Sequence, residues 1–332
     1  MKFLKWTGFI VFLLIVVYFL GPKPSAPKYG TELPAIPPDP VLLGKYISEK
    51  EALHKLKPDN EARIIWLNDS LKQPTDYAVV YLHGFSASQE EGDPVHAEFA
   101  RTFGCNLYLS RLAEHGIDTI DAMVNLKAEK LWNSAKEAYA IGKQLGKKVI
   151  IVGTSTGGSL ALKLAAEYAD IAGLILLSPN IAINDPNAWL LNNPWGLQIA
   201  RLIKGKFNTS NDTNANYQRY WYHKYRMESA VELQELLETT MKASIFEKVR
   251  QPTLLLYYYQ DEDHQDEVVR VSAMKGMFRQ LGTPGGLKRE IATTKTGDHV
   301  IGSYVKSKDV ETVKKECIRF GKEILKLRAA DL

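Results

Sequence analysis

The sequence predicts an α/β protein in which helices cover both faces of a mainly parallel central sheet. Apolar runs of strand length, such as 171–177, alternate along the chain with amphipathic helices such as 129–139. Strands that are apolar throughout are typical of parallel sheets with two buried faces. The 332 residues have a hydrophobic content of 45%, which is sufficient for one catalytic body of this class.

The N-terminal residues predict a membrane anchor. Residues 6–20 form an almost unbroken apolar run of 15 residues, and Lys2 and Lys5 precede it. This length lies between a signal-peptide core and a membrane span of about 20 residues, and the residues that follow fit a cleavage site poorly. We expect residues 1–21 to be an uncleaved anchor, with the catalytic domain on the extracytoplasmic side, which is periplasmic in a bacterium. A secreted form is the alternative.

A proline-rich segment follows the apolar run. Residues 21–40 contain seven prolines, which exclude a long helix or a central strand. We expect residues 22–42 to be a stiff linker that lifts the catalytic domain, residues 43–332, off the membrane. The alternative is an arm packed along the domain, with Tyr29 and Leu33 as its contacts.

Two apolar strands each lead into a glycine-containing turn. Residues 77–82 run into the His-Gly-Phe sequence at 83–85, where the amide of Phe85 is free to face a reacting oxygen. Residues 148–152 run into Gly-Thr-Ser-Thr-Gly at 153–157, and a helical pattern follows. A serine on a strand-to-helix turn with glycine on both sides is typical of a nucleophile, here Ser155, and the Thr156 amide supplies a second donor.

The same residues allow other interpretations. The pattern G-x-S-x-G by itself is weak, and a plain loop is the alternative. A phosphate-binding loop is excluded because Ser159, and not lysine, follows the last glycine. The net charge of +4 is modest and the basic residues are scattered among acids, so the sequence gives no support for nucleic-acid binding.

Two later strands supply an acid and a histidine. The apolar strand that begins at residue 253 ends in an acidic loop at 260–267, and the strand at 288–292 is followed closely by His299. The order along the chain is therefore serine, acid, histidine. These residue types act together when a neutral imidazole takes the proton of a serine hydroxyl and a carboxylate orients the imidazole.

These features together resemble the α/β-hydrolases, in particular the serine hydrolase branch that contains monoacylglycerol lipases, carboxylesterases and serine aminopeptidases. The resemblance covers roughly residues 60–325. Its motifs are weak one by one, but their order and spacing are specific. They are the sequences at 83–85, 112–116 (Leu-Ala-Glu-His-Gly), 153–157, 261–267 and 297–299.

The resemblance implies an α/β-hydrolase fold and a catalytic serine mechanism. Ser155 is then the nucleophile, His299 the general base, and the amides of Phe85 and Thr156 the oxyanion donors. Asp266 is our choice for the acid, because the sequence after it resembles the run that precedes the next helix in relatives. Asp261 is the reserve, since it lies two residues beyond the strand, and Asp263 is third.

The resemblance also implies an inserted cap and a substrate class. The 70 or so residues at about 181–250 differ in character from their surroundings and contain many aromatic residues, which either line a pocket or pack the cap onto the body. We expect small or lipid-derived acyl esters as substrates, with peptide, amide or thioester cleavage, or a non-catalytic protein, as alternatives. No cofactor or metal is expected. Oligomeric state cannot be read from the sequence.

Overall fold

A seven-stranded sheet forms the centre of the protein, whose computed structural model describes residues 2–330. In chain order the strands are β1 (Arg63–Ile65), β2 (Thr75–Leu82), β3 (Asn106–Leu109), β4 (Gly146–Thr154), β5 (Ile171–Leu177), β6 (Phe207–Thr209), β7 (Lys224–Arg226), β8 (Thr253–Tyr258) and β9 (Lys288–Thr293). The central sheet has the order β1-β3-β2-β4-β5-β8-β9, and β6 and β7 form a separate antiparallel pair. Only the edge strand β1 is antiparallel to its neighbour in the central sheet of the described residues.

Helices cover both faces of this sheet. The α-helices of the described residues are α1 (Lys2–Phe19), α2 (Pro40–Glu51), α3 (Val95–Thr102), α4 (Ala128–Leu145), α5 (Thr156–Glu167), α6 (Gly196–Lys204), α7 (Ala215–Tyr220), α8 (Met227–Thr240), α9 (Ala243–Phe246), α10 (Val271–Gln280) and α11 (Val310–Glu323). Short 3₁₀ turns occur at Gln89–Gly92, Ala188–Leu190 and Gly285–Leu287.

Strand β2 shows how the sheet is buried on both sides. Its residues Ala78, Val80 and Leu82 belong to one apolar cluster together with α4 and α5. Val79 and Tyr81 point the other way, into a second cluster with α3 and α11. Successive side chains of a strand face opposite sides, so an entirely apolar strand requires cover on both. The predicted mainly parallel, doubly covered sheet is confirmed.

The parallel strands bring the predicted site to one edge of the sheet. The carboxyl ends of β2, β4, β8 and β9 all lie at this edge, because parallel strands run in the same direction. Ligand sites of open α/β sheets lie outside this edge. Between β5 and β8 the chain leaves the sheet and forms α6, β6, α7, β7, α8 and α9, in the region where we expected a cap.

The proline-rich segment packs on the body, which corrects the expectation of a free linker. Tyr29, Leu33 and Ile36 contact the main apolar cluster, and the Tyr29 hydroxyl lies 2.7 Å from Thr239 Oγ1. The Trp132 indole donates to the Gly30 carbonyl at 2.8 Å. Extended proline-rich backbone makes no internal hydrogen bonds, so its carbonyls remain available to side chains of the body. The alternative, a packed arm, describes these contacts, and α2 begins at Pro40, three residues before the expected boundary.

Helix α1 covers most of the predicted anchor. Its apolar side chains are largely exposed, for example Phe9 and Phe19, and Val17 accepts a hydrogen bond from the Trp195 indole at 3.0 Å. Within residues 2–330, none of the helices is both long and apolar enough to cross a membrane.

Candidate active site

Ser155 lies on a sharp turn between β4 and α5. Its backbone has φ 52° and ψ −118°, a region that non-glycine residues rarely occupy. The turn is held by hydrogen bonds from Ser155 N to Leu177 O at 3.0 Å and from Asn180 N to Ser155 O at 2.9 Å. Two residues on, a Cβ at Gly157 would lie 1.9 Å from Leu82 O, so only glycine fits there. The motif is therefore required by the close approach of α5 to β2.

His299 and Asp266 form a buried hydrogen-bonded pair. His299 Nδ1 lies 2.6 Å from Asp266 Oδ2, and the two side chains are 8% and 0% exposed. The other oxygen of Asp266 accepts hydrogen bonds from the amides of Val268 and Val269, at 2.9 and 2.8 Å. Nδ1 donates to the carboxylate, which leaves Nε2 as the basic nitrogen. The loop after β8 thus fixes the carboxylate, and the carboxylate fixes the ring.

The surroundings of His299 favour its charged form. Burial alone would lower the pKa of the imidazole, but the charge and hydrogen bond of Asp266 outweigh burial, with smaller contributions from Glu91 and Asp298. The pKa of His299 is therefore raised above the ordinary 6.5. A ring with a raised pKa is a stronger base, which suits the acceptance of a hydroxyl proton.

The two reserve acids lie elsewhere in the same loop. Asp261 Oδ1 lies 2.8 Å from Nδ1 of the nearby His264, and both side chains are at least half exposed. The exposed Asp263 donates its backbone amide to Asp261 Oδ1 at 3.0 Å. Of the three candidate acids, Asp266 is the one that the structure brings to His299.

The two predicted oxyanion amides lie just after the end of strand β2 and at the start of helix α5. Thr156 is the first residue of α5, where amides have no partner within the helix and carry the positive end of its dipole. Phe85 follows β2 and lines the same cavity as Ser155. The loop and turn hydrogen bonds of residues 2–330 include no donation by either amide to a backbone carbonyl.

Two buried histidines support the loop that carries Phe85. Leu112 N donates to His83 Nε2 at 3.0 Å, so the proton is on Nδ1, which donates to Gly84 O at 2.9 Å. In the same way His115 Nε2 accepts from Ser86 N at 3.0 Å. Burial lowers the pKa of both rings, that of His115 to about 4, and keeps them neutral. The stretch 112–116 is one of the motifs of the family resemblance, but nothing in the sequence indicates that it holds this loop.

Ser155 and His299 line one cavity of about 490 Å³ between the body and the region after β5. Among the described side chains no hydrogen bond joins Ser155 Oγ to the His299 ring, and such contacts often tighten only when substrate binds. Much of the wall is apolar and comes from residues 183–233, for instance Ile183, Leu190, Leu191, Ile199, Ile203 and Leu233. Of the cap aromatics, Tyr217, Trp221 and Tyr225 line the cavity, whereas Tyr220 and Tyr222 are buried outside it.

Sequence reasoning missed two polar residues of this cavity. Glu91 is buried beside Ser155, although it stands in a run of polar residues that reads as a solvated loop. Asn180 is also buried, and its side-chain oxygen has no hydrogen-bond partner among the described residues. No periodicity or motif distinguishes either residue, so only their position after β2 and β5 could have suggested them.

Known proteins are similar to this chain in sequence. A family model described as serine aminopeptidase matches residues 128–283, which include Ser155 and Asp266. A thermostable monoacylglycerol lipase from Bacillus sp. (strain H-257) is 28% identical over 186 residues, which are 56% of this chain and 70% of the lipase.

Solved structures share the fold. A structure from a study of LipS and LipT, two metagenome-derived lipolytic enzymes, superposes with a TM-score of 0.62 at 16% identity and covers 80% of this chain and 98% of its own. The monoacylglycerol lipase of Paleococcus ferrophilus gives a TM-score of 0.57 at 13% identity, covering 78% of this chain and 96% of its own. The chain thus has the α/β-hydrolase fold of these lipases, and its sequence is similar to monoacylglycerol lipases and serine aminopeptidases.

Proposed function

We propose that the protein is a serine hydrolase that cleaves carboxylic esters through an acyl-enzyme on Ser155. The observation that carries the proposal is the buried pair of His299 and Asp266 at 2.6 Å, which faces the cavity of a serine held on a strained turn. A serine hydroxyl is a poor nucleophile near neutral pH unless a base takes its proton as it attacks.

The proposed reaction has two steps that use the same residues. His299 Nε2 takes the proton of Ser155 Oγ, the oxygen adds to the ester carbonyl, and the imidazolium then gives its proton to the leaving alcohol. In the second step His299 takes a proton from water, and the water oxygen adds to the acyl carbonyl. The imidazolium then returns the proton to Ser155 Oγ as the acid leaves. Asp266 stabilises the imidazolium, while the amides of Phe85 and Thr156 hold the oxyanion of each tetrahedral intermediate.

We propose small or lipid-derived acyl esters as the substrates. The apolar wall of the cavity suits an acyl chain, which contributes binding free energy in proportion to the area it buries. The names of the similar lipases support a lipid-derived ester. The description of the matching family as serine aminopeptidase favours peptide cleavage as the second candidate.

A fluorophosphonate probe with mass mapping tests the mechanism. Such probes phosphonylate activated serines, so label is expected on Ser155 and should vanish in Ser155→Ala. Ser159→Ala is the matched control, because that hydroxyl lies one turn further along α5 and donates to Asn180 O at 2.5 Å. Folded wild-type protein that takes up no label would support a non-catalytic protein instead.

A substrate panel separates the two candidate activities. Turnover of p-nitrophenyl esters of increasing acyl length should exceed turnover of aminoacyl amides, and the dependence on length reports how far the apolar wall accepts the chain. Turnover of amides alone would replace the esterase by a peptidase.

We further propose that residues 1–21 attach the protein to a membrane, with the catalytic domain on the extracytoplasmic side. The exposed apolar side chains of α1 support attachment. The full-length chain should stay in the pellet after a carbonate wash, while a chain without residues 1–21 is released. Protease added outside the membrane should reach the catalytic domain; protection of that domain would contradict the proposed side.

A further inference from the structure

A buried carboxyl group lies directly behind the loop that carries Phe85. Glu91, in the 3₁₀ turn after β2, is 2% exposed and accepts a hydrogen bond from Gly84 N. A Cβ built on Gly84 would lie 2.7 Å from Glu91 Oε1 and 2.9 Å from Ser155 Cβ. Gly84 is therefore confined between the carboxyl group and the nucleophile, and no side chain fits there.

The two sides of Gly84 are held by different residues. Glu91 holds its amide, and His83 Nδ1 donates to its carbonyl at 2.9 Å. In a planar trans peptide the carbonyl and the following amide point in opposite directions. With Gly84 O turned toward His83, the amide of Phe85 must point away from His83. Loss of the bond to Glu91 would free rotation about Gly84, and glycine offers little resistance to such rotation.

We propose that Glu91 is a positioning residue for the oxyanion site: it fixes Gly84 so that the Phe85 amide faces the substrate oxygen. The inference rests on the proposed function, because it assigns the amide a task only if Ser155 attacks a carbonyl. It concerns a residue that neither the motifs nor the order of catalytic residues indicates.

The region after β5 also contacts this loop. Tyr222 N donates to Ser86 O at 2.7 Å, and Trp221 lines the cavity together with Glu91. A shift of this region on substrate binding would therefore reach the oxyanion loop through the Tyr222–Ser86 hydrogen bond.

Burial of the Glu91 carboxyl group would cost free energy if the side chain only filled space. Burial raises the pKa of Glu91 to about 7, although the Gly84 amide, His299 and Trp221 oppose the rise and Asp298 adds to it. An apolar side chain or an amide would fill the same space without this cost. The acceptor toward Gly84 is the property that an apolar residue could not supply.

The test compares Glu91→Gln with Glu91→Ala. Glutamine keeps a carbonyl acceptor for Gly84 N, whereas alanine removes it. Glu90→Gln is the matched control, because Glu90 is the half-buried neighbour that does not line the cavity. The kinetics of p-nitrophenyl ester turnover and the Kd of an alkyl boronic acid, which forms a tetrahedral adduct with serine, are measured for all four proteins, and crystal structures for the two Glu91 variants.

Glu91→Ala should lower kcat about 100-fold with little change in KM, as loss of one oxyanion donor does, and weaken the boronic acid similarly. Glu91→Gln and Glu90→Gln should stay within a few-fold of wild type. In the crystals the Gly84–Phe85 peptide should turn in the alanine variant and keep its place in the glutamine variant. An unmoved peptide with wild-type kcat in Glu91→Ala, or equal losses in both Glu91 variants, would overturn the inference. If the wild type cleaves no ester, the proposed function fails, and the orientation of the peptide in the crystals still decides the role of Glu91.

Discussion

The loop after β8 contributes an aspartate to each of two aspartate–histidine pairs. The two pairs differ mainly in their surroundings. Asp261 and His264 lie 2.8 Å apart with side chains 50% and 62% exposed. Asp266 and His299 lie 2.6 Å apart with side chains 0% and 8% exposed. The distances are nearly equal, but the first pair joins residues three apart in sequence and the second joins two different strand ends. Similar geometry therefore occurs in an exposed local turn and in a buried site.

The difference lies in what surrounds each pair. Water screens the exposed pair, so its interaction is weak. The buried carboxylate of Asp266 is held by two backbone amides and acts on His299 through a medium of lower dielectric constant. Proximity of an acid to a histidine is thus a poor guide to function unless burial and a path to a nucleophile accompany it.

The largest difference between the two aspartate–histidine pairs is expected in the enzymatic activity of their variants. Asp266→Asn should lower kcat by about 10³- to 10⁴-fold, because the amide no longer selects the tautomer that leaves Nε2 basic. Asp261→Asn should leave ester turnover unchanged. Loss confined to Asp261→Asn would reverse the two assignments.

A contrast in stability comes next. Asp266→Ala leaves the amides of Val268 and Val269 without their acceptor, and the buried Val269 amide left unpaired costs about 1–3 kcal/mol. Urea denaturation should therefore show a clear loss, whereas Asp266→Asn, which keeps an acceptor, should lose less. Equal stability of wild type and Asp266→Ala would mean that these hydrogen bonds are replaced by water.

The pH dependence of kcat/KM gives a smaller effect. His299 accepts a proton only when neutral, so activity falls as pH drops through its pKa, and the raised pKa places this fall above pH 6.5. The residual activity of Asp266→Asn should fall at a lower pH than wild type, since the carboxylate that raises the pKa is gone. Asp261→Asn should show the wild-type profile. If wild type and both variants had the same pH profile, Asp266 would not be the cause of the raised pKa of His299.

The smallest effect is expected from the exposed histidine. His264→Gln should change neither the melting temperature nor ester turnover measurably, because both partners of its pair face solvent. A marked loss of activity would show that this part of the loop contacts the substrate.

The sequence was sufficient for the elements that a local pattern defines. The strand at 171–177 was predicted with its observed limits, and the turn around Ser155 was recognised because glycine is required on both sides. The choice of Asp266 depended on a family resemblance, since Asp261, Asp263 and Asp266 are chemically equivalent in sequence. Only burial and contact with His299 distinguish them, and both depend on the tertiary fold.

Other features had no local signal. Glu91 is buried because the chain turns back toward Gly84 and Ser155, which a run of polar residues does not indicate. The proline-rich arm was expected to stand free, because composition predicts a stiff extended backbone but not the side chains on which it rests. Its contacts, such as Trp132 with Gly30, join residues about a hundred positions apart.

The packed arm bears on how a shortened enzyme should be made. The Lys163 ammonium group lies 4.8 Å from the ring centre of Tyr29 and 4.4 Å from that of Trp132. The arm therefore covers a basic side chain that would be exposed to solvent without it. A shortened chain that starts at α2 would lack Tyr29, and the aromatic surface beneath the arm would be exposed and open to self-association. A chain that starts near residue 22 would lack the exposed apolar helix α1 and would keep the proline-rich arm on the body.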